Sequence, residues 1–171
     1  CCDSRTASLV ACTETAVPMS ETVPLPDGAP AVSCVLSAQA AARAQEIKVI
    51  SKKLLVKGEL TVSSVCRGEG GEIFSFGHSM PISQIINLEG IDEDCTCCVC
   101  LPVTSLEVLP KADQAGDNRL IDISSRVGAG VKAYRELSFP TVTDAYSVCC
   151  ALETQSRNVD FAVIAENFND P

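Results

Sequence analysis

The 171-residue sequence predicts an all-β fold, an antiparallel β-sandwich or barrel with an extended N-terminal arm. Three observations lead there. Apolar and polar residues alternate with a period of two through most of the chain, as strands with one buried face require. Turn signals rich in Gly and Pro interrupt that alternation at short intervals. Apolar residues make up 46%, yet there is no Trp, with two Tyr and five Phe. Such a core consists of Val, Ile, Leu and Ala, which suits stacked strands better than an aromatic ligand pocket.

The elements follow in chain order. Residues 1–30 read as a Cys-bearing arm and its Pro-rich linker. A strand at 8–17 precedes Pro24-Leu25-Pro26-Asp27-Gly28-Ala29-Pro30, which breaks regular structure. Residues 31–42 read as a strand. The alanine-rich run 38–44 imitates a helix, but its flanks alternate, so an extended reading is preferred. From 54 to 66 one face carries Val56, Gly58, Leu60, Val62 and Cys66, and the other Lys57, Glu59, Thr61 and Ser63. Arg67-Gly68-Glu69-Gly70-Gly71-Glu72 reads as a hairpin loop, because glycine accepts positive φ, and leads into a strand at 72–78. One short helical turn is expected at 83–88, after Pro81. A strand at 96–109 and a loop at Asp113-Gln114-Ala115-Gly116-Asp117-Asn118 follow. The cleanest alternation is at 120–134, with Ile121, Ile123, Val127, Ala129, Val131 and Ala133 opposite Asp122, Ser124, Arg126, Lys132 and Tyr134. Strands at 141–148 and 158–165 complete the set, the last with Val159, Phe161 and Val163 on one face. The chain thus divides into 1–30, a β domain at 31–148, and 149–171 with a Cys pair and the final strand.

Eleven cysteines are the main chemical feature. Six form the adjacent pairs Cys1-Cys2, Cys97-Cys98 and Cys149-Cys150, the middle pair lying within Cys95-Thr96-Cys97-Cys98-Val99-Cys100. An odd number cannot close entirely on itself. Neighbouring residues of a strand point to opposite faces, so an adjacent pair can join one element to partners on two sides. The three pairs, Cys1, Cys2, Cys97, Cys98, Cys149 and Cys150, are the candidates for intermolecular disulfides. Cys12, Cys34, Cys66, Cys95 and Cys100 are candidates for other disulfides. This thiol density fits an oxidising setting outside the reducing cytosol. Cys1 opens the sequence as in a processed product, but the linker typical of a lipid anchor is missing after it.

Other function classes find little support. A net charge of −9 offers no basic face for nucleic acid or anionic lipid. No apolar run approaches the roughly 18 residues of a spanning helix. Cys95 and Cys98, like Cys97 and Cys100, have the Cys-X-X-Cys spacing of a zinc knuckle, but a strand would divide these thiols between two faces. No metal site and no cofactor is expected. His78, the single His, has no argued thiol partner, and Gly68-Glu69-Gly70-Gly71 lacks the Lys and helix of a phosphate loop. No catalytic residue emerges, and the chain is not expected to be an enzyme.

Three stretches carry a resemblance. They are Val56-Lys57-Gly58-Glu59-Leu60-Thr61-Val62, then Met80-Pro81-Ile82-Ser83-Gln84-Ile85-Ile86-Asn87-Leu88-Glu89-Gly90-Ile91, then Thr143-Asp144-Ala145-Tyr146-Ser147. In this order and spacing, over 47–147, they resemble the SPOCS domain of the SipL-like spore-coat morphogenetic family of endospore-forming clostridia. The resemblance implies a β-rich assembly domain without enzymatic activity, at the spore surface or extracellular. With the cysteines it leads to an expected function as structural subunit of a disulfide-cross-linked spore-surface polymer, a fibre, appendage or coat layer. Its partners would be copies of itself, head to tail, and possibly other spore-coat proteins. The alternative is a non-polymeric coat-assembly module that recruits a partner protein.

Overall fold

In the computed structural model, which describes residues 2–163, the alternation at Leu54, Val56, Leu60, Val62, Ser64 and Cys66 forms one strand with these residues buried. That strand is β3 (Lys53–Gly68), the centre of an antiparallel sheet between β2 (Val32–Ile50) and β4 (Ile73–Asn87). The second sheet is organised by β7 (Leu120–Thr141), which buries Ile121, Ile123, Val127, Ala129, Val131 and Ala133. One edge of β7 pairs with β1 (Cys2–Pro24), and the other with β5 (Thr96–Cys100) and β6 (Val103–Lys111). Both sheets turn their apolar faces to a shared interior. One end packs Leu60, Val62 and Phe76 with Ile121 and Ile123, and the other packs Leu54, Val56 and Ile86 with Ala129 and Val131. There is no helix among the described residues, and none long and apolar enough to cross a membrane.

The all-β sandwich is as expected, and so are the inward faces of β3 and β7. Residues 38–44 are extended inside β2, since pairing with β3 from Ala38↔Ser64 to Ala44↔Gly58 outweighs alanine's helix preference. The two glycine-bearing loops also form. Gly71 has φ +91° between β3 and β4, and Gly116 has φ +92° between β6 and β7. Asp113 Oδ1 accepts the Ala115 and Asp117 N–H groups at 2.8 and 3.1 Å in the second loop.

Several expectations are corrected. The N-terminal segment is not a free arm: β1 pairs with β7 from Cys2↔Thr141 to Pro24↔Leu120, with a bulge between Leu9 and Ala11. The Pro-rich connector is packed as well, for Leu25 is buried and its N–H donates to Arg119 O at 2.9 Å. In place of the helical turn at 83–88, residues 83–87 are the end of β4, held in register against β3 with Ile82 and Ile86 inward. The strand at 96–109 divides into β5 and β6 at Leu101-Pro102, where Pro102 has no N–H for the ladder. Pro102 O accepts the Gly128 N–H at 2.8 Å instead. Residues 142–148 and 158–163 are not strands, and residues 164 and 165 lie outside the described residues. The turn from β2 to β3 was not visible in the sequence. Ser51 and Lys52 both have positive φ, a hairpin geometry whose usual signal is Asn-Gly.

One side of the sandwich is closed where β2 runs beside β6 and β5. On the other side the outer strands β1 and β4 meet through side chains, His78 Nε2 lying 3.1 Å from Glu21 Oε2. On exposed β2, hydrogen bonds and charge from Lys48 and Lys57 hold Glu46 down to about 2. Because this folded value lies below the ordinary 4.5, ionised Glu46 favours the fold above pH 4.5 and loses that effect toward pH 2. Glu46→Gln is expected to flatten the stability–pH curve slightly in that window, measured by urea unfolding, and less so at high salt.

Candidate functional site

The strand period places Asp122, Ser124, Arg126, Gly128, Gly130 and Lys132 of β7 on the face away from the core. Pairing on either side then decides what joins them. Lys132 lies between Cys12 of β1 and Cys98 of β5, and Gly130 between Glu14 and Cys100. Three thiols from two distant parts of the chain therefore share one outward face. The two glycines leave the centre of that face low. A groove of about 730 Å³ results, walled by Cys12, Glu14 and Ala16 on one side and by Cys98, Cys100 and Pro102 on the other. Lys132 and Arg126 line it as well.

The geometry separates accessible thiols from enclosed ones. Cys12 and Cys100 are exposed and Cys98 half-buried, whereas Cys95 and Cys97 turn inward at 8% and 9% exposure. The Cys97-Cys98 pair thus points to opposite faces, but Cys97 is not presented to another chain. Cys66 is fully buried in the core, and Cys34 receives the Arg67 guanidinium at 3.4 Å. Cys149 and Cys150 are exposed in the segment after β7. They are not in a strand: Ser147 Oγ accepts both their N–H groups, at 3.4 and 3.3 Å, and turns the chain there. Cys1 lies outside the described residues, and Cys2 sits at the end of the β1–β7 ladder.

The nine cysteines whose side chains are described are all free thiols. Cys12 and Cys98 lie two strands apart, so their Cα atoms are about 10 Å from each other, beyond the roughly 7 Å a disulfide can span. On this face a thiol of β1 cannot close onto β5 without moving the backbone. Among the described residues no group of three or more His, Cys, Asp or Glu is placed to hold a metal ion.

Two enclosed thiols have defined surroundings. Cys95 donates to Asp92 Oδ1 at 3.2 Å, and this bond, with the Arg135 charge beside it, holds the Asp92 carboxyl below its usual range. Burial, and then the neighbouring Cys95 and Cys98, push the Cys97 thiol up. Since the thiolate is the reactive form, Cys97 is poorly nucleophilic. Iodoacetamide on the folded, reduced protein is expected to label Cys12, Cys100, Cys149 and Cys150 first. Cys66 and Cys97 should react roughly a hundredfold more slowly, opening only with the fold, as peptide mass mapping would read.

Sequence reasoning did not bring out Cys12 and Cys100 as accessible partners of Cys98. The Cys98–Cys100 half was readable from the period of two. The Cys12 half was not, because it depends on pairing between strands more than a hundred residues apart.

A family model described as SipL, SPOCS domain, matches residues 31–108. It takes in β2 to β5 and part of β6, with the stretches beginning at Val56 and at Met80, and leaves out residues 143–147. The resemblance is thereby met over this part of the chain, and it points to a sporulation-related, spore-associated role. No curated protein and no solved structure matches the chain.

Proposed function

We propose, from the SPOCS match over residues 31–108, that this chain is a structural subunit of a disulfide-cross-linked polymer at the spore surface. The observation that carries the reading is the partition of thiols. Cys12, Cys98 and Cys100 flank an open groove, while Cys149 and Cys150 stand on a separate exposed segment. One copy therefore offers thiols in two places, as a head-to-tail contact that propagates without closing requires. In the sequence, Cys1 and Cys2 add a third set of candidates.

Each bridge joins two thiols into one disulfide and releases two protons and two electrons. Dioxygen or a small-molecule disulfide serves as the oxidant. Dissociation then needs reduction as well as unfolding. On this reading the subunit does no catalysis and binds no cofactor, and its partners are further copies of itself.

Non-reducing electrophoresis of oxidised protein tests it. A ladder of covalent multimers that collapses with reductant is the expected result. A single band at 18.0 kDa before reduction would overturn the polymer and leave a coat-assembly module that recruits a partner.

A further inference from the structure

β1 is an outer strand. One edge pairs with β7 along its whole length, and the other lies outside that ladder. Such an edge presents main-chain N–H and C=O groups to any strand that comes alongside. Here one of them is already taken. Ala7 N–H donates to Ala162 O at 2.8 Å, and Thr6 Oγ1 donates to the same oxygen at 3.1 Å. Next to it the Phe161 ring meets Phe139 of β7 edge-on, with centroids 5.1 Å apart and planes at 71°.

The occupant has the pattern of a strand without being one. Val159, Phe161 and Val163 alternate with Asn158, Asp160 and Ala162, yet residues 158–163 form no ladder. The stretch leading to them, residues 142–158, lies outside both sheets and exposes large apolar side chains. Tyr146 is 88% exposed and Val148 89%. Folding back onto the same copy therefore leaves much of this stretch's apolar surface in water, and among the described residues it secures one main-chain hydrogen bond to β1, at Ala162. Extended, residues 142–158 reach up to about 55 Å, far enough for another molecule. The contacts at Ala7 and Phe139 are the same whichever copy supplies the segment, the condition under which an element is exchanged between protomers.

We propose that residues 158–163 of one copy add as a strand to the outer edge of β1 in a second copy, the Ala7–Ala162 contact being the seat of that exchange. Main-chain hydrogen bonds supply the affinity, and Phe161 against Phe139 sets the register. The inference rests on the polymer reading and specifies its non-covalent joint, which forms before any disulfide and without one.

Two complementary variants of the reduced protein test it. A chain ending at Arg157 lacks the segment but keeps the edge. Ala7→Pro keeps the segment but loses the outward N–H, and leaves the N–H groups aimed at β7 in place. Reduced wild type is expected to form oligomers in sedimentation velocity. Each variant alone should be monomeric with an unchanged far-ultraviolet circular dichroism spectrum, and a mixture of the two should give a dimer with the summed mass of one copy of each. Phe161→Ala, which leaves β1 untouched, should weaken self-association about tenfold.

Monomeric wild type under reduction overturns the exchange, even if oxidation yields a covalent ladder. Variants that are monomeric both alone and mixed mean that the segment binds only its own copy. Variants that still polymerise place the joint elsewhere. If Ala7→Pro does not fold, wild-type oligomers unaffected by Phe161→Ala overturn the proposal. Only loss of the covalent ladder in oxidised wild type counts against the polymer itself.

Discussion

Gly58→Ala is expected to destabilise the fold by about 3 kcal/mol or more, because the added methyl has nowhere to go. A Cβ at Gly58 would stand 2.2 Å from the carbonyl oxygen of Arg43, 3.1 Å from its carbon and 3.2 Å from the Ala44 Cα. All three are backbone atoms of β2 beside the bulge between Ala44 and Glu46, held there by pairing with β3. They cannot swing aside as a side chain would. With a urea slope of about 2 kcal/mol/M, the unfolding midpoint should fall by roughly 1.5 M. Gly77→Ala is the control. It lies on β4 in the same sheet, and its Cβ would meet only Val62 O, at 3.8 Å. Its midpoint should move by less than about 1 kcal/mol equivalent, in the stabilising direction if at all. Equal losses at the two glycines would show that close approach to β2 is not the cause. The Gly of the Val56-Lys57-Gly58-Glu59 stretch is thus explained by packing: the bulged neighbour comes too near for any side chain.

Serine at Cys1, Cys2, Cys12, Cys98, Cys100, Cys149 and Cys150 is expected to abolish covalent multimers and leave the domain folded. The five of these whose side chains are described are exposed or half-buried, so a hydroxyl in place of a thiol removes little core contact. The reverse variant alters Cys34, Cys66, Cys95 and Cys97 to alanine. It should keep the ladder, yet lose about 1–2 kcal/mol at the fully buried Cys66, where the cavity left by sulfur is enclosed. Non-reducing gels and urea unfolding read the two effects separately. A ladder that persists in the first variant would mean that half-buried Cys34 or one of the enclosed thiols supplies the bridge, and that the groove and the segment after β7 do not select the bridging residues. Restoring Cys149 and Cys150, then Cys12, Cys98 and Cys100, tells whether the segment and the sheet face are the two ends of one bridge.

Residues close in sequence were the readable ones. The inward faces of β3 and β7 follow from a period of two, and the glycine loops at 67–72 and 113–118 from φ > 0. The errors arose where distant pairing overrode local signals. Prolines and two leading cysteines suggested an arm, but β7 is long enough to hold β1 from end to end. Pro81 and the residues after it suggested a helical turn, but β3 keeps them extended. The Ser51-Lys52 turn carries no local signal of its own, since neither residue favours positive φ.

The same division applies to the thiols. The sequence alone determined that eleven cannot all pair within one chain, that Cys97 and Cys98 face opposite ways, and that the body is a stack of antiparallel strands. Those conclusions need only parity and the pleat. Which thiols reach solvent together, and which strand lies at the outside of the sheet, were decided by the tertiary structure. Only the pairing of β7 with both β1 and β5 sets Cys12 beside Cys98 and Cys100 across a glycine floor. Only that pairing puts β1 at the outside of its sheet, where the Ala7 N–H meets Ala162. Register between remote strands is fixed by the burial of whole faces, a cooperative quantity that no short window of residues contains.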